Sequence, residues 1–210
     1  SPISEAEKIS LRSQMGYHEN QIIVLCVGAI IKRKGMDLLI KTFQKFKKRH
    51  DNALLILVGP IPSSDNKRIR KGYQEYLEIK KLIDDFQLEH FIHLTGTKNN
   101  IDEYMKISDF FVFLSRQEGL PNVLLESMST GLPVITLNRA GVTGYIIRNK
   151  IDGIIVDEEN PEKIALEMEH LINNDDLYHN ISIHSRNTIL DRFTDQIIDH
   201  QYEEIYEEIS

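Results

Sequence analysis

Two glutamates, Glu118 and Glu126, stand eight residues apart in the segment EGLPNVLLE. A carboxylate can accept two hydrogen bonds from a vicinal diol, which ribose and hexoses both present. Gly119 would let the backbone approach a ligand closely, and Pro121 suits the first turn of a helix. The spacing alone leaves two interpretations open, a pair of ligand-binding carboxylates or a buried helix preceded by a capping acid.

The start of the helix predicted over residues 121–129 adds a binding element between the two acids. Backbone amides from Asn122 to Leu124 have no partner inside such a helix, so an anion can accept their hydrogen bonds. Glu126 stands about five steps into the helix, roughly 7.5 Å along its axis. A molecule with hydroxyls at both ends and phosphates in the middle would therefore fit this segment.

A second pair with the same spacing, Glu159 and Glu167, provides an internal control. It also follows a predicted strand and precedes a proline, but Asp157, Glu158 and Glu162 crowd the same helix start. Such a cluster complements the helix dipole by itself and would repel phosphate. This pair therefore predicts a capped surface helix rather than a ligand site.

A basic turn lies in VGAIIKRKGMDLLI, residues 27–40, where Lys32, Arg33 and Lys34 precede Gly35. Cations at the start of a helix oppose the helix dipole unless an anion shares the space. Lys34 and Arg33 are therefore candidates for holding a diphosphate and neutralising its charge as it leaves. The alternative is that all three cations are solvated on a charged helix face.

Several motifs that would indicate other chemistry are missing. The chain has no GxGxxG, no GxxxxGK[ST] and no GxSxG, which disfavours a usual dinucleotide fold, a P-loop NTPase and a nucleophile elbow. No Asp-x-Asp is present to hold a metal–diphosphate, and His90 and His93 would lie on opposite faces of a strand. We therefore expect no metal ion and no cofactor, with Lys and Arg handling the phosphate charge.

Short apolar runs alternate with longer amphipathic stretches along the chain. Strands are predicted over residues 21–30, 53–59, 91–96, 109–115, 132–137 and 153–156. Helices are predicted over residues 4–16, 35–50, 66–86, 100–108, 121–129, 161–174, 175–193 and 194–210. Near-continuous apolar strands separated by helices predict an α/β fold, a Rossmann-like doubly wound parallel sheet of about six strands.

Ligands of such sheets bind beyond the carboxyl ends of the strands. The turns at that edge are residues 28–35, 59–64, 96–99, 115–122 and 138–144. The candidate binding residues in or beside these turns are Gly28, Lys34, Gly59, Thr95, Gly96, Gly119, Leu120, Asn122, Val123 and Glu126.

The composition bounds the class of protein. The net charge of −7 argues against broad nucleic-acid binding, and 41% hydrophobic content is ordinary for a globular domain. The single cysteine, Cys26, lies in an apolar run, which predicts a core residue and fits a reducing, cytoplasmic location. No segment is apolar for long enough to predict a transmembrane helix. The polar N-terminus without methionine indicates a fragment rather than a signal peptide.

Several segments resemble, in order and spacing, the C-terminal half of a GT-B, group 1 (family 4) retaining glycosyltransferase. They are RKGMDLLI, LVG, HLTGTKNNIDEYMKISDFFVFLSRQEGLPNVLLESMSTGLPVI and DGIIV, and the resemblance covers residues 22–208. It implies a domain that binds a nucleoside diphosphate sugar, with UDP the default expectation and GDP the alternative. By resemblance, Glu118 contacts donor-sugar hydroxyls, Glu126 contacts the ribose diol, and Lys34 binds the diphosphate. The amides of residues 119–123 would cradle the sugar and phosphate.

The chain departs from the family pattern at two positions. Gly28-Ala29 stands where the family often has Gly-Arg, which removes one diphosphate contact unless Arg33 substitutes for it. Gly144 stands where a glutamate is expected. These changes keep open a non-catalytic nucleotide-binding or interaction module. Within the fold, a nucleotide-sugar epimerase is a further alternative, whereas the lysine signature of a pyridoxal-dependent phosphorylase is not found.

The resemblance also implies a division of the chain. Residues 1–20 would form a helix leading in from an N-terminal half, residues 21–193 the nucleotide-sugar domain, and residues 194–210 a helix that packs toward that half. The N-terminal half would bind a sugar or glycolipid acceptor, so this chain alone is expected to bind donor and transfer nothing. Peripheral association of the full-length protein with the inner face of a membrane is compatible with such an acceptor.

Overall fold

The computed structural model describes residues 2–63, 70–139 and 141–199, together with residues 203 and 206. Across these residues one sheet contains β1 (Ile22–Val27), β2 (Ala53–Val58), β3 (Ile92–Gly96), β4 (Phe110–Phe113), β5 (Val134–Leu137) and β6 (Ile154–Val156). The strand order is β3-β2-β1-β4-β5-β6, and every pairing between neighbours is parallel. The predicted fold class and the number of strands are confirmed.

Helices connect the strands. In the described part of the chain they are α1 (Glu5–Gln14), α2 (Met36–Lys47), α3 (Arg70–Asp85), α4 (Ile101–Ile107), α5 (Asn122–Ser129), α6 (Thr143–Ile146), α7 (Pro161–Ile172) and α8 (Asp175–Arg192), with a 3₁₀ turn at Lys32–Lys34. The 3₁₀ turn and the short α6 were not predicted. The first residues of the helix predicted over 66–86 lie outside the described residues.

Apolar side chains on both faces of the sheet produce two cores. Because successive strand residues point to opposite faces, Val24 and Phe110 pack with α2, α3 and α7, while Ile23 and Phe111 pack with α4 and α5. Cys26 belongs to the first core and is only 2% exposed. The prediction that this cysteine is a core residue is therefore confirmed.

Helix α1 is attached to the sheet by Asp109, which immediately precedes β4. Both carboxylate oxygens of Asp109 accept hydrogen bonds from Nη2 of Arg12 at 2.9 Å, and one of them also accepts from Nζ of Lys8 at 2.7 Å. The other oxygen accepts from the amide of Ile23 in β1 at 2.7 Å. A buried arginine thus joins α1 to the amino ends of two strands, so the helix packs as part of this domain.

The strand order reverses between β1 and β4. From β1 the chain adds β2 and β3 on one side, and from β4 it adds β5 and β6 on the other. The loops that follow β1 and β4 therefore leave the sheet in opposite directions and open a crevice between them. In doubly wound sheets, this point is where ligands bind.

The last predicted helix falls partly outside the described residues. Residues 195–199 are helical, and Ile197 and Ile198 are half-buried. Residues 200–202, 204–205 and 207–210 of this helix lie outside the described residues. The packing of residues 194–210 toward a second half therefore stays a prediction. Among the helices that are described, none is long and apolar enough to cross a bilayer.

Candidate functional site

Gly35 allows the basic turn to pack against the end of β4. Its φ is +74°, and a Cβ atom built on it would lie 2.0 Å from the carbonyl oxygen of Leu114. Only glycine combines this backbone conformation with so close an approach. The 3₁₀ turn Lys32–Lys34, which precedes Gly35 and the start of α2, is therefore held beside the loop that follows β4.

Lys34 and Glu118 meet across the crevice. Nζ of Lys34 donates to Oε1 of Glu118 at 2.5 Å, and the two side chains are 21% and 11% exposed. The aliphatic part of Lys34 passes over Gly28, where an added Cβ would lie 3.7 Å from Cγ and Cδ of the lysine. A cation and a carboxylate that are 84 residues apart in the chain therefore lie together at the switch point of the sheet.

The other two cations of the turn contact different parts of the domain. Nη1 of Arg33 donates to the carbonyl of Gln117 at 3.0 Å, and Arg33 lines a cavity of about 410 Å³ together with Gln117, Glu118 and Gly119. Lys32 instead pairs with Glu78 on α3, and this hydrogen bond raises the pKa of Lys32 above its ordinary value. The structure thus brings Lys34 and Arg33 to the Glu118 loop and places Lys32 outside it.

Helix α5 begins beside this cavity. Pro121 is its N-cap residue, and the amides of Asn122 and Leu124 donate to the carbonyls of Leu120 and Pro121 at 3.1 and 2.8 Å. Two of the three amides predicted to be open to an anion are therefore occupied by the turn. The amide of Val123 makes no such bond within the described residues.

Glu126 lies on the solvent side of α5. It is exposed, and among the described residues its carboxylate has no hydrogen-bond or ion-pair partner. Of the alternative interpretation, a buried helix preceded by a capping acid, the cap is wrong: no described side chain caps α5, and Glu126 is not among the residues that the helix buries. The helix buries Leu124, Ser127 and Met128 instead, and Leu120 in the preceding loop is 65% exposed.

The remaining predicted residues lie at the same edge but further away. Gly59 follows β2, and a Cβ there would lie 2.1 Å from the carbonyl oxygen of Gly28, so its role in the fold is to allow a close approach of the turns after β1 and β2. Thr95 at the end of β3 donates its hydroxyl to Gly96 and Leu57 carbonyls at 3.0 and 3.3 Å. Three strand spacings separate β3 from β4, roughly 14 Å. The structure does not bring Thr95 and Gly96 into contact with the Lys34–Glu118 pair.

Sequence reasoning missed two arginines beside the site. Arg116 lies two residues before Glu118 and binds Asp37 on α2 and Glu159 ahead of α7. Arg139, in the loop after β5, binds Glu159 and the carbonyl of Ser115. Arg116 lies in the turn of residues 115–122, which the sequence places at the carboxyl edge of the sheet. This position was the signal that could have identified it.

The prediction of a capped helix at the Glu159–Glu167 pair is confirmed, although Glu159 itself is not the cap. The cap of α7 is Asn160, whose side chain accepts from the amides of Glu162 and Lys163 at 3.0 and 3.2 Å. Burial opposes the ionisation of Glu159, but hydrogen bonds from Arg116 and Arg139 hold its pKa below the ordinary value. Glu159 is therefore a partner of two arginines, and it does not bind the helix start.

The fold and the site define a class of protein. A Rossmann-like domain holds a lysine, an arginine and a carboxylate at its topological switch point, next to the start of a helix. This arrangement suits a ligand that carries both hydroxyls and anionic groups. The sequence of the chain matches the family of glycosyl transferases group 1 over residues 7–188. The chain belongs to the group 1 glycosyltransferase family.

Curated relatives are similar along most of the chain. Spore coat protein SA of Bacillus subtilis is 29% identical over 199 residues, which are 94% of this chain and 51% of the relative. N-acetyl-alpha-D-glucosaminyl L-malate synthase of Bacillus anthracis is 26% identical over 95% of this chain and 49% of its own length. The chain thus spans about half the length of the curated relatives it matches.

Solved structures share the fold. Anabaena HepE, crystallised in complex with UDP and glucose, superposes with a TM-score of 0.84 at 21% identity, over 99% of this chain and 53% of that protein. The C-terminal domain of a glycosyl transferase group 1 family protein (LpcC) from Francisella tularensis has a TM-score of 0.74 at 18% identity, over 92% of this chain and 95% of that domain. These likenesses confirm that the chain has the fold of one half of a GT-B glycosyltransferase.

Proposed function

We propose that this chain is the donor-binding half of a retaining, metal-independent glycosyltransferase. The donor is a nucleoside diphosphate sugar, and the acceptor, a sugar or glycolipid, is held by a second half. The observation that carries the proposal is the Lys34–Glu118 contact at the switch point, beside the start of α5 and the unpartnered carboxylate of Glu126. A cation, an amide donor and two carboxylates are the kinds of group that can bind a diphosphate between two hydroxyl-bearing groups.

Each group has a role that follows from its contacts. Lys34 donates to the diphosphate and stabilises its charge as it leaves, with Arg33 as a second cation at the cavity wall. Glu118 accepts hydrogen bonds from the donor sugar and positions it. The amide of Val123 donates to a phosphate or sugar oxygen, and Glu126 accepts from the ribose diol because its carboxylate has no protein partner to displace.

In the reaction, the bond between the anomeric carbon and the diphosphate oxygen breaks. A bond from the same carbon to an acceptor oxygen forms on the same face, so the configuration is retained. No described side chain at the switch point is placed as an obvious general base, and the leaving phosphate takes the proton of the acceptor hydroxyl. The charge of the departing diphosphate is balanced by Lys34 and Arg33.

UDP is the first nucleotide to test. Anabaena HepE, which shares this fold, was crystallised with UDP and glucose, whereas another relative is named as a GDP-mannose-dependent mannosyltransferase of Mycobacterium tuberculosis, 28% identical over 76% of this chain. A non-catalytic nucleotide-binding module is the second candidate function. It is favoured by Ala29 and Gly144, two positions where the chain departs from the family pattern.

The deciding experiment is a ligand-detected NMR titration of this chain with UDP, GDP, ADP and NAD. Saturable binding of one nucleoside diphosphate, weakened at least tenfold by Glu126→Ala, supports the proposal and names the base. Asp84→Ala is the matched control, because Asp84 is an exposed carboxylate on α3 far from the switch point. Its binding should equal that of the wild type.

Two results would contradict the proposal. Absence of saturable binding to any of the four nucleotides contradicts a donor site in this chain. Equal loss of binding in Glu126→Ala and Asp84→Ala contradicts a specific role for Glu126. Donor hydrolysis by the full-length protein separates the enzyme from the non-catalytic module, since only an enzyme releases free sugar from the bound donor.

A further inference from the structure

Arg116 connects the two segments that carry the Lys34–Glu118 pair. Its backbone amide donates to the carbonyl of Arg33 at 2.9 Å, and its Nη1 donates to the carbonyl of Lys32 at 2.5 Å. Both acceptors belong to the 3₁₀ turn, while Arg116 itself lies two residues before Glu118. One residue therefore holds the turn that carries Lys34 against the loop that carries Glu118.

The guanidinium of Arg116 is held in place from two further sides. Asp37 in the first turn of α2 accepts from Nη1 and Nη2 at 2.6 and 3.2 Å, and Glu159 accepts from Nε at 2.9 Å. The hydrogen bonds to Asp37 raise the pKa of Arg116 further above its ordinary value. The planar fork of an arginine can satisfy these partners together, which the single ammonium of a lysine cannot do.

Arg139 extends the same arrangement to the loop after β5. Its Nη2 donates to the second oxygen of Glu159 at 2.8 Å, and its Nε donates to the carbonyl of Ser115 at 3.0 Å. Glu159 therefore bridges two arginines that both hold the Ser115–Glu118 loop. The loops after β1, β4 and β5 are fixed to one another by charged hydrogen bonds, although Glu118 takes part in none of these bonds.

We propose that Arg116 is a positioning residue for donor binding. It acts through Lys34: by tying the 3₁₀ turn to the Glu118 loop, it keeps the lysine where a donor diphosphate would lie. This inference rests on the proposed function. If Arg116 only formed ion pairs, or only stabilised the domain, it would not need to affect donor binding.

The alternative is that Arg116 only stabilises the packing of α2 beside α7, and Arg49 supplies a matched control for it. Arg49 joins the other end of α2 to α7 through Glu162 and Glu169, and its side chain is 33% exposed, against 30% for Arg116. Arg49→Ala therefore removes a comparable set of ion pairs between the same two helices, but does not touch the site.

The test measures the affinities of UDP and of uridine for the wild type, Arg116→Ala, Arg116→Lys, Arg49→Ala, Lys34→Ala and the double variant Arg116→Ala/Lys34→Ala. Arg116→Ala should weaken UDP about tenfold and leave uridine unchanged, since only the diphosphate uses Lys34. Arg116→Lys should recover part of the loss. The double variant should bind UDP no more weakly than Lys34→Ala, because the two residues act as one unit.

Several outcomes would overturn the inference. These are unchanged UDP affinity in Arg116→Ala, equal losses for UDP and uridine, equal losses in Arg49→Ala, and additive losses in the double variant. If Arg116→Ala does not fold, Asp37→Asn replaces it, because this change weakens the hydrogen bonds of the Arg116 guanidinium and keeps the arginine.

If the wild type binds no nucleotide, the proposed function fails. The positioning role is then decided by the crystal structure of unliganded Arg116→Ala, in which an unmoved Lys34–Glu118 contact refutes it.

Discussion

Nζ of Lys34 lies 2.5 Å from Oε1 of Glu118, across the point where the strand order reverses. Both side chains are more than three-quarters buried. Without this contact each would lose hydration and gain no partner. In the unliganded domain the two groups neutralise each other, and a ligand that carries its own anion and hydroxyls can take over both sets of hydrogen bonds.

The first prediction concerns the stability of this pair. Lys34→Gln should lower the free energy of unfolding by about 1–3 kcal/mol, because Glu118 is left mostly buried without its cation. Lys34→Gln/Glu118→Gln should recover part of that loss, since two amides can bond to each other. Urea denaturation of the wild type, both single variants and the double variant gives the coupling energy.

The control for this cycle is the exposed pair of Lys163 and Glu158, whose side chains are 55% and 59% exposed. Neutralising it should change stability by less than about 0.5 kcal/mol, because water screens the charges. A coupling energy at Lys34–Glu118 as small as that of the exposed pair would contradict the structural interpretation.

The second prediction concerns Gly35. Gly35→Ala should destabilise the domain by about 3 kcal/mol or more, because the methyl group meets the Leu114 carbonyl in addition to the strain of positive φ. Gly16 is the matched control, since its φ is +82° and a Cβ there meets nothing within 4 Å. Gly16→Ala should therefore cost only the backbone strain, about 1 kcal/mol. Equal losses in the two variants, measured by thermal and urea unfolding, would show that the Leu114 contact can relax.

The third prediction is a pH dependence at Glu159. Since its folded-state pKa lies below the ordinary 4.5, the carboxylate stabilises the fold above that value, and this stability is lost as the pH falls through the folded-state pKa. Wild type should thus exceed Glu159→Gln in stability at neutral pH by less than about 1 kcal/mol, because the side chain is 39% exposed. The difference should vanish in acid.

Glu126→Gln is the control for the pH series, because within the described residues its carboxylate has no partner. Its stability should equal that of the wild type, because the substitution removes no described contact. Urea unfolding at several pH values measures both differences, and a pH-independent difference for Glu159→Gln would count against its bonds to Arg116 and Arg139.

The fourth prediction concerns the thiol of Cys26. Burial raises its pKa to about 12, so at mildly alkaline pH the thiol is both protonated and inaccessible. A thiol reagent such as DTNB should leave the native domain unmodified and label one group per chain in urea. Rapid labelling in native buffer would contradict the placement of Cys26 in the core, and Cys26→Ser provides the blank.

The fold could be predicted from local pattern because each strand is a short apolar run between helical stretches. Runs such as residues 53–59 are apolar at nearly every position, which indicates a strand covered on both faces. The exceptions have local reasons. The 3₁₀ turn at Lys32–Lys34 depends on how Gly35 meets Leu114, and α6 is a single turn too short to show a helical period.

The candidate site was only partly predictable. Lys34 and Glu118 were selected by residue type and position after a strand, and the structure brings them together. Arg116 and Glu159 were not recognised, because an arginine in a loop and an acid before a helix each have an ordinary local explanation. Their partners are 20 to 84 residues away in the chain, and no spacing rule connects them.

The sequence by itself determined the alternation of strands and helices, the position of the turns at the carboxyl edge and the types of residue in them. These properties depend on neighbours within a few residues. The tertiary structure alone decided which turns face each other, because the reversal of strand order places β1 beside β4. That reversal makes Lys34 and Glu118 a pair, leaves Glu126 in solvent, and turns Glu159 toward two arginines.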